Sequence, residues 1–424
     1  MIHSIPLRGL YSIIQGGTAS RIRGVSALCP RFGLFSKRNM PDSILALRII
    51  GFRIRFRWVL VIIFDKINKL IKKMNTIKAA FYSLILVLGF SSCKDDVIEN
   101  LDNKYTDEIE NTVDQVIVKT YENLDSKAGI LESQLTALSY VKTEEQLGYA
   151  RQAWRDARTP WEQSEGFLFG PVDSKGIDPS IDSWPVNVED LNAVLNSNDV
   201  LTKEYVDLLE GTLKGFHTIE WLLFGETGDK KIEEISDREF EYLIACAKSL
   251  KGSTSQLLLE WSPQGGNFGA TVRSAGSESN KVYPSQKSAL LEFNNGIITI
   301  ADEVANGKID EPYSTQNLLF EESRFSANSK ADFADNIRSI QNIYLGGINK
   351  EGSGLSTIVK LKDQALDNEV RTAIADAINA IEVIPGTFSD AVFNSKPAVV
   401  NAQSKVRELL QVLEFKLTPF LNNL

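Results

Sequence analysis

The sequence predicts an all-α protein built from two helical bundles, roughly residues 99–262 and 285–424. Three observations carry that prediction. Apolar residues recur at three- and four-residue steps through most of the chain after residue 105. Several of these stretches open on a Ser or Thr followed three residues later by Glu or Gln, the pattern of a helix capping box. Long β-branched alternating runs, the mark of strands, are absent. A chain of 424 residues, 43% hydrophobic and 24% charged, suits one large or two ordinary soluble domains.

The N-terminal part differs from the rest. Residues 1–73 carry 14 Lys and Arg against only Asp42 and Asp65. From Met74 the chain reads MNTIKAAFYSLILVLGFSSCKDD: Lys78, an apolar run from Ala79 to Phe90, then two serines before Cys93. That is the layout of a secretory signal, and its apolar run is shorter than the roughly 20 residues of a membrane span. The ending is similar to a lipobox, with Phe90 where Leu is usual, so Cys93 is the expected lipidation site. Lys94, Asp95 and Asp96 resemble an export tag for the outer cell surface. The expectation is therefore a mistranslated upstream extension at 1–73, a lipoprotein signal at 74–92 and a lipidated tether at 93–98. A membrane span at 46–64 is the alternative; Arg48, Arg53, Arg55 and Arg57 oppose it, each costing about 3 kcal/mol at a bilayer centre.

Taking the 15 basic and 2 acidic residues of 1–92 from the totals of 46 and 55 leaves 31 basic and 53 acidic, a net charge of −22. So acidic a body argues against nucleic-acid or anionic-membrane binding and is compatible with either cation handling or a solvated surface. Only Cys93 and Cys246 would remain in the mature chain, which leaves no disulfide framework and no cysteine-based zinc site.

In chain order, Ile109, Val113, Val116, Ile117, Tyr121 and Leu124 mark the first helix. Thr143 and Gln146 open a second that Gly170-Pro171 stops, and Ser236 with Glu239 opens another. Similar helices are expected over 285–305, 330–345, 355–382 and 396–421. Residues 171–190 are rich in Pro, Asp and Ser, and residues 262–284 in Gly and Ser; the second is expected as a domain boundary or long surface loop.

The stretch GFHTIEWLLFG, 215–225, holds His217, one of two histidines in the chain. Leu213, Phe216, Ile219, Leu222 and Leu223 make it a buried or half-buried helix, and i, i+3 spacing puts His217 and Glu220 on one face. They either share a metal or hydrogen-bond each other. Thr218 and Trp221 stand where either order of a two-histidine zinc motif needs other residues, so a metal here would rest mainly on oxygen ligands. That favours iron, calcium or manganese over catalytic zinc. Hydrolase-elbow, phosphate-loop and dinucleotide-loop motifs are absent.

Four blocks in order, WRDARTPWEQSEGFLFGPV, IDSWPVN, GFHTIEWLLFG and EESRFSANSKADFADNIRSIQNIYLG, resemble the imelysin family of iron-regulated, imelysin-like bacterial lipoproteins over residues 105–415. Gly215, His217 and Glu220 match its Gly-x-His-x-x-Glu signature. The resemblance implies two helical bundles with that motif in a cleft at their interface, an exported or lipid-anchored protein and a link to iron uptake. It carries over Arg158, Trp161, Glu162 and Glu165 from the first block, with Arg158, Glu162 and Glu165 at i, i+4, i+7 on one helix face. These make either a cation site with a charge-balancing guanidinium or a surface ion pair. Asp182 and Trp184 come from the second block, and Ser323, Arg324 and Asn336 from the fourth; Ser326 and Ser329 read first as a helix cap.

The expected function is a lipoprotein on the bacterial outer membrane that binds iron, as an ion or a metal chelate, and serves an uptake transporter. His217, Glu220, Glu162 and Glu165 would be the ligands and Arg158 the charge balance. An exported metallopeptidase and a non-enzymatic adhesion or scaffold lipoprotein are the alternatives.

Overall fold

The computed structural model describes residues 103–424. The expected extension, signal and tether, with Cys93, lie outside the described residues. The described residues belong to one compact unit, and every regular element among them is helical. The all-α expectation is borne out.

The first group of helices begins with Thr106–Asn111, a π-helical segment Thr112–Ile117 and α1, Val118–Tyr140. Ile109, Val113, Val116, Ile117, Tyr121 and Leu124 are all buried, as their spacing predicts. Next comes α2, Glu144–Glu162. Thr143 accepts the Gln146 amide at 3.2 Å, but the Gln146 side chain bonds Gln134 Oε1 at 2.8 Å, so only half of the expected capping box forms. After short helices within 171–207 come α3, Gly215–Phe224, and α4, Asp237–Trp261, whose Ser236/Glu239 box is complete. α1 packs against α2 and α4, and α3 against α2 and α4.

The second group is α5, Gln286–Glu303, which runs into a π-helical segment Val304–Lys308, then α6, Ser329–Leu345, α7, Gln364–Glu382, and α8, Lys396–Val412. The helix expected over 355–382 is broken: Leu355–Lys362 ends at Asp363, whose side chain caps α7 by accepting the Leu366 amide at 2.9 Å. α6 packs on α5 and α7, and α7 on α8.

One continuous apolar cluster runs through both groups. They meet where α6 lies on α2 and α5 lies on the turn Glu165–Phe167. The segment 262–284 is packed rather than loose, because it carries the helix Phe268–Arg273 and Phe268 sits edge-on to Trp261 and Tyr283. Cys246 is buried in α4, and burial pushes its thiol up, away from reactivity. No helix among the described residues is long and apolar enough to cross a membrane.

Candidate functional site

The site is built where α2, α3 and α6 converge. Trp154, Arg158 and Glu162 form a four-step stripe on α2 and all three are buried. The Trp154 indole N–H donates to the Phe216 carbonyl at 2.9 Å, which pins the first turn of α3 to α2. Gly215 starts α3 at φ +74°, and a Cβ there would collide with the Ile181 carbonyl oxygen. Only glycine lets α3 begin so close to Ile181, and that approach brings Asp182 to His217. The expected stripe does not extend to Glu165. Pro160 removes one helical N–H, α2 ends at Glu162, and Glu165 falls in the separate turn Glu165–Phe167. Glu165 is buried, and its charge acts on Lys308 and Tyr121.

His217 is the centre of the arrangement and is 2% exposed. Its Nδ1 lies 3.1 Å from Glu220 Oε2. The other oxygen of Glu220 accepts from the Ser326 backbone N–H at 2.8 Å and the Ser326 hydroxyl at 2.7 Å. Both Glu220 oxygens are thus engaged, and the carboxylate orients the imidazole from behind. On the opposite side, Nε2 is 3.0 Å from Asp182 Oδ1 and 3.8 Å from Glu322 Oε1. The near contact is off the N–H direction, so Nε2 makes no directed hydrogen bond. One ligand atom from each of Asp182, His217 and Glu322 lies within 4.8 Å of the others.

Two cations sit among these acids. The Arg158 guanidinium pairs with Glu162 and Asp182, and reaches Glu322 at 3.0 Å and Asp332 at 3.4 Å. The Lys308 ammonium is 2.8 Å from Glu322 Oε2 and 3.5 Å from Glu162 Oε2. The Trp161 indole donates to Asp182 Oδ2 at 2.6 Å, and Asn336 Nδ2 donates to Glu162 Oε2 at 2.6 Å. All of these groups are buried.

The titration pattern follows from that packing. Burial alone would lower the His217 pKa, but the Asp182 charge and the close carboxylates of Glu220 and Glu322 push it well above its ordinary value. Burial works upward on Asp182 too, yet Arg158 and His217 outweigh it and hold the carboxyl well below its usual range. Glu322 is likewise held at about 2, burial being overcome by Lys308, His217 and Arg158. Burial wins at Glu162, which is raised well above a normal carboxyl, and at Asp332, pushed up to about 6. The two acids facing His217 on the Nε2 side are thus held below the usual carboxylate range, and the two further back are raised above it.

A cavity of about 390 Å³ opens onto His217 and Glu220. Trp184, Val186, Leu319 and Phe325 make its walls apolar, and Glu226, Glu321 and Arg324 add charge. The Trp184 ring is 6.1 Å from the imidazole, and Lys308 Nζ is 5.5 Å from the Trp184 ring centre. Arg324 is not part of the buried cluster: it pairs with Glu226 at 2.8 Å and stacks over Phe325 at the cavity side. Ser323 lines the cavity with a left-handed backbone, φ +53°, and a buried hydroxyl that makes no hydrogen bond. The expected cap role of Ser326 and Ser329 gives way to this site. Asn328 precedes α6 without a side-chain cap, Ser326 holds Glu220, and Ser329 bonds Glu321 Oε1 and the Glu322 carbonyl, each at 2.6 Å.

Sequence reasoning missed Lys308; it found Glu322 and Asp332 in the fourth block but ranked them below Ser323, Arg324 and Asn336 as site residues. Lys308 had a signal: it continues the buried stripe of Ile297, Ile300, Ala301 and Val304, where a lysine is out of place. Glu322 stands in an irregular loop, where no periodicity reports burial.

The sequence profile of the imelysin family, designated a peptidase family, matches residues 117–413. Iron-regulated protein A of Synechococcus elongatus is 31% identical over 317 residues, covering 73% of this chain and 85% of that protein. The crystal structure of an iron-regulated protein A precursor from Parabacteroides distasonis superposes with a TM-score of 0.67 at 25% identity, over 74% of this chain and 94% of that one. An imelysin-like protein from Psychrobacter arcticum shares the fold with a TM-score of 0.61 at 13% identity, over 74% and 96% of the two chains. With the profile spanning most of the chain and the Gly215, His217 and Glu220 signature in place, the protein belongs to the imelysin family.

Proposed function

We propose that the protein binds a metal ion, with iron as the cargo, through His217 Nε2, Asp182 and Glu322. The observation that carries this reading is the buried Nε2 without a directed hydrogen bond, facing two ionised carboxylates. Nitrogen with two carboxylates is a donor set suited to iron or manganese. Glu220 and Ser326 hold the imidazole from behind, in the way outer partners fix metal-bound histidines. Arg158 and Lys308 balance the acids while the site holds no metal. Iron is the first metal to test because the Synechococcus relative is named iron-regulated. Glu220, Glu162 and Glu165 move from ligands to supporting roles in this reading. A peptidase role finds less support, since both Glu220 oxygens are occupied and unavailable as a general base.

The wider setting belongs to the same proposal. Cys93 is lipidated, the mature chain is anchored to the bacterial outer membrane, and it hands iron, free or chelated, to an uptake transporter. Calorimetric titration of iron(II) under anaerobic conditions tests the binding. His217→Ala and Asp182→Asn should each abolish the heat of binding; titration curves like that of the unaltered protein would remove the site.

A further inference from the structure

A second, wholly different cavity lies on the other side of the residue that precedes α3. It has a volume of about 290 Å³, and its lining is polar, with Lys203, Lys214, Ser249 and Ser253 prominent. Lys214 is only 7% exposed, and burial lowers its pKa. A buried ammonium needs acceptors for three N–H groups. Lys214 has one, the carbonyl of Asp207 at 2.9 Å, the last residue of the short helix Lys203–Asp207. It forms no ion pair among the described residues.

The nearby acid does not meet that need. The Asp207 carboxylate is taken by Lys203 at 2.6 Å and by the Ser249 hydroxyl at 2.7 Å. The cavity wall also presents Ser180, Ser253 and Gln256, whose side chains have no hydrogen-bond partner among the described residues. Gly252 lies in the middle of α4, where glycine costs about 1 kcal/mol against alanine. A Cβ there would press on Lys203 Cε at 2.8 Å and Nζ at 3.2 Å. The glycine therefore makes room for Lys203 to lie along the cavity. Two lysines against one aspartate leave the lining with a net positive charge, on a chain whose formal charge is −9.

We propose that this cavity binds a small phosphate-type oxyanion, held by Lys214 and Lys203 with hydrogen bonds from Ser253, Ser180 and Gln256. The polar walls disfavour an apolar ligand, and two ammonium groups with several neutral donors match the many acceptors of a tetrahedral anion. The overall acidity of the protein is no obstacle at physiological salt, because charges beyond about 8 Å are screened. The site is separate from the His217 cluster and does not depend on metal binding there.

Titration of the full chain with inorganic phosphate and, in parallel, glycerol 3-phosphate tests it, by calorimetry and phosphorus NMR at about 0.15 M ionic strength. The expected result is saturable binding at one site, weakened about tenfold or more by Lys214→Gln and several-fold by Lys203→Gln, since a charge-assisted hydrogen bond contributes roughly 1.5–3 kcal/mol. His217→Ala should leave it unchanged. Tighter binding of glycerol 3-phosphate assigns a monoester as the ligand, tighter binding of phosphate assigns the free ion, and either supports the site. Lys203 is part-exposed, with 38% of its side chain accessible, so its variant remains informative even where Lys214→Gln fails to fold. No saturation by about 10 mM of either probe, or equal affinity in both lysine variants, overturns the proposal.

Discussion

Two buried carboxylate networks in this protein share one chemistry and differ in outcome. In the second helical group, Asp367 is 1% exposed and accepts from the Tyr344 hydroxyl at 3.1 Å, the Ser356 hydroxyl at 2.6 Å and Arg371 Nε at 2.9 Å. None of these side chains has a buried polar atom without a partner, and Arg371 reaches solvent. One acid meets one guanidinium and two hydroxyls, and the account closes. Around His217 the five acids Glu162, Asp182, Glu220, Glu322 and Asp332 face Arg158, Lys308 and the imidazole. There His217 Nε2, Ser323 Oγ, Asn336 Oδ1 and Arg158 Nε all lack directed partners. A network that only supports the fold satisfies its atoms. One that leaves several unsatisfied among five buried acids is organised around something else, and a cation is the simplest fit.

The largest expected effect separates the two networks by stability. Arg158→Met strands several buried acids and should cost about 3–5 kcal/mol in urea unfolding. A loss below about 1 kcal/mol would mean that the His217 cluster is as self-sufficient as the Asp367 one. Glu220→Gln comes next: removing the carboxylate behind the imidazole should weaken metal binding roughly 10–100-fold, measured by calorimetry, with little change in fold. An unchanged affinity would make Glu220 a packing residue only.

The pH dependence sharpens the contrast further. With its folded pKa raised, His217 stabilises the metal-free protein fully below its unfolded pKa, and that stability is lost as pH rises through the folded value. Metal binding has the opposite sign, because the metal must displace the same proton. Affinity should climb by about tenfold per pH unit up to the folded pKa and release one proton, read as a buffer-dependent heat. A flat profile would indicate binding elsewhere. The smallest effect on binding is expected from Asp367→Asn, which should cost about 1–2 kcal/mol of stability and leave metal affinity untouched.

Much of this was legible in the sequence. Helical periodicity located the helices because each buries one apolar stripe, and the Gly-x-His-x-x-Glu spacing placed His217 and Glu220 on one face. The i, i+4 step of Arg158 and Glu162 likewise survived folding as a buried pair. What the sequence hid was tertiary. The end of α2 at Glu162 moved Glu165 off the stripe, and Asp182 and Glu322 reach His217 only through irregular segments whose course no local pattern encodes. The roles of Ser326 and Ser329 followed the same rule, since a Ser-x-x-Ser pair before a helix reads as a cap until a distant carboxylate claims it.

The central claim is that a metal sits on His217 Nε2 between Asp182 and Glu322. Anomalous diffraction at the iron edge, from crystals grown anaerobically with iron(II), tests it most directly. The account predicts a single strong peak within bonding distance of Nε2 and of one oxygen from each carboxylate, lost in His217→Ala crystals. A peak elsewhere with the cluster empty, or no peak at saturating iron, would contradict it.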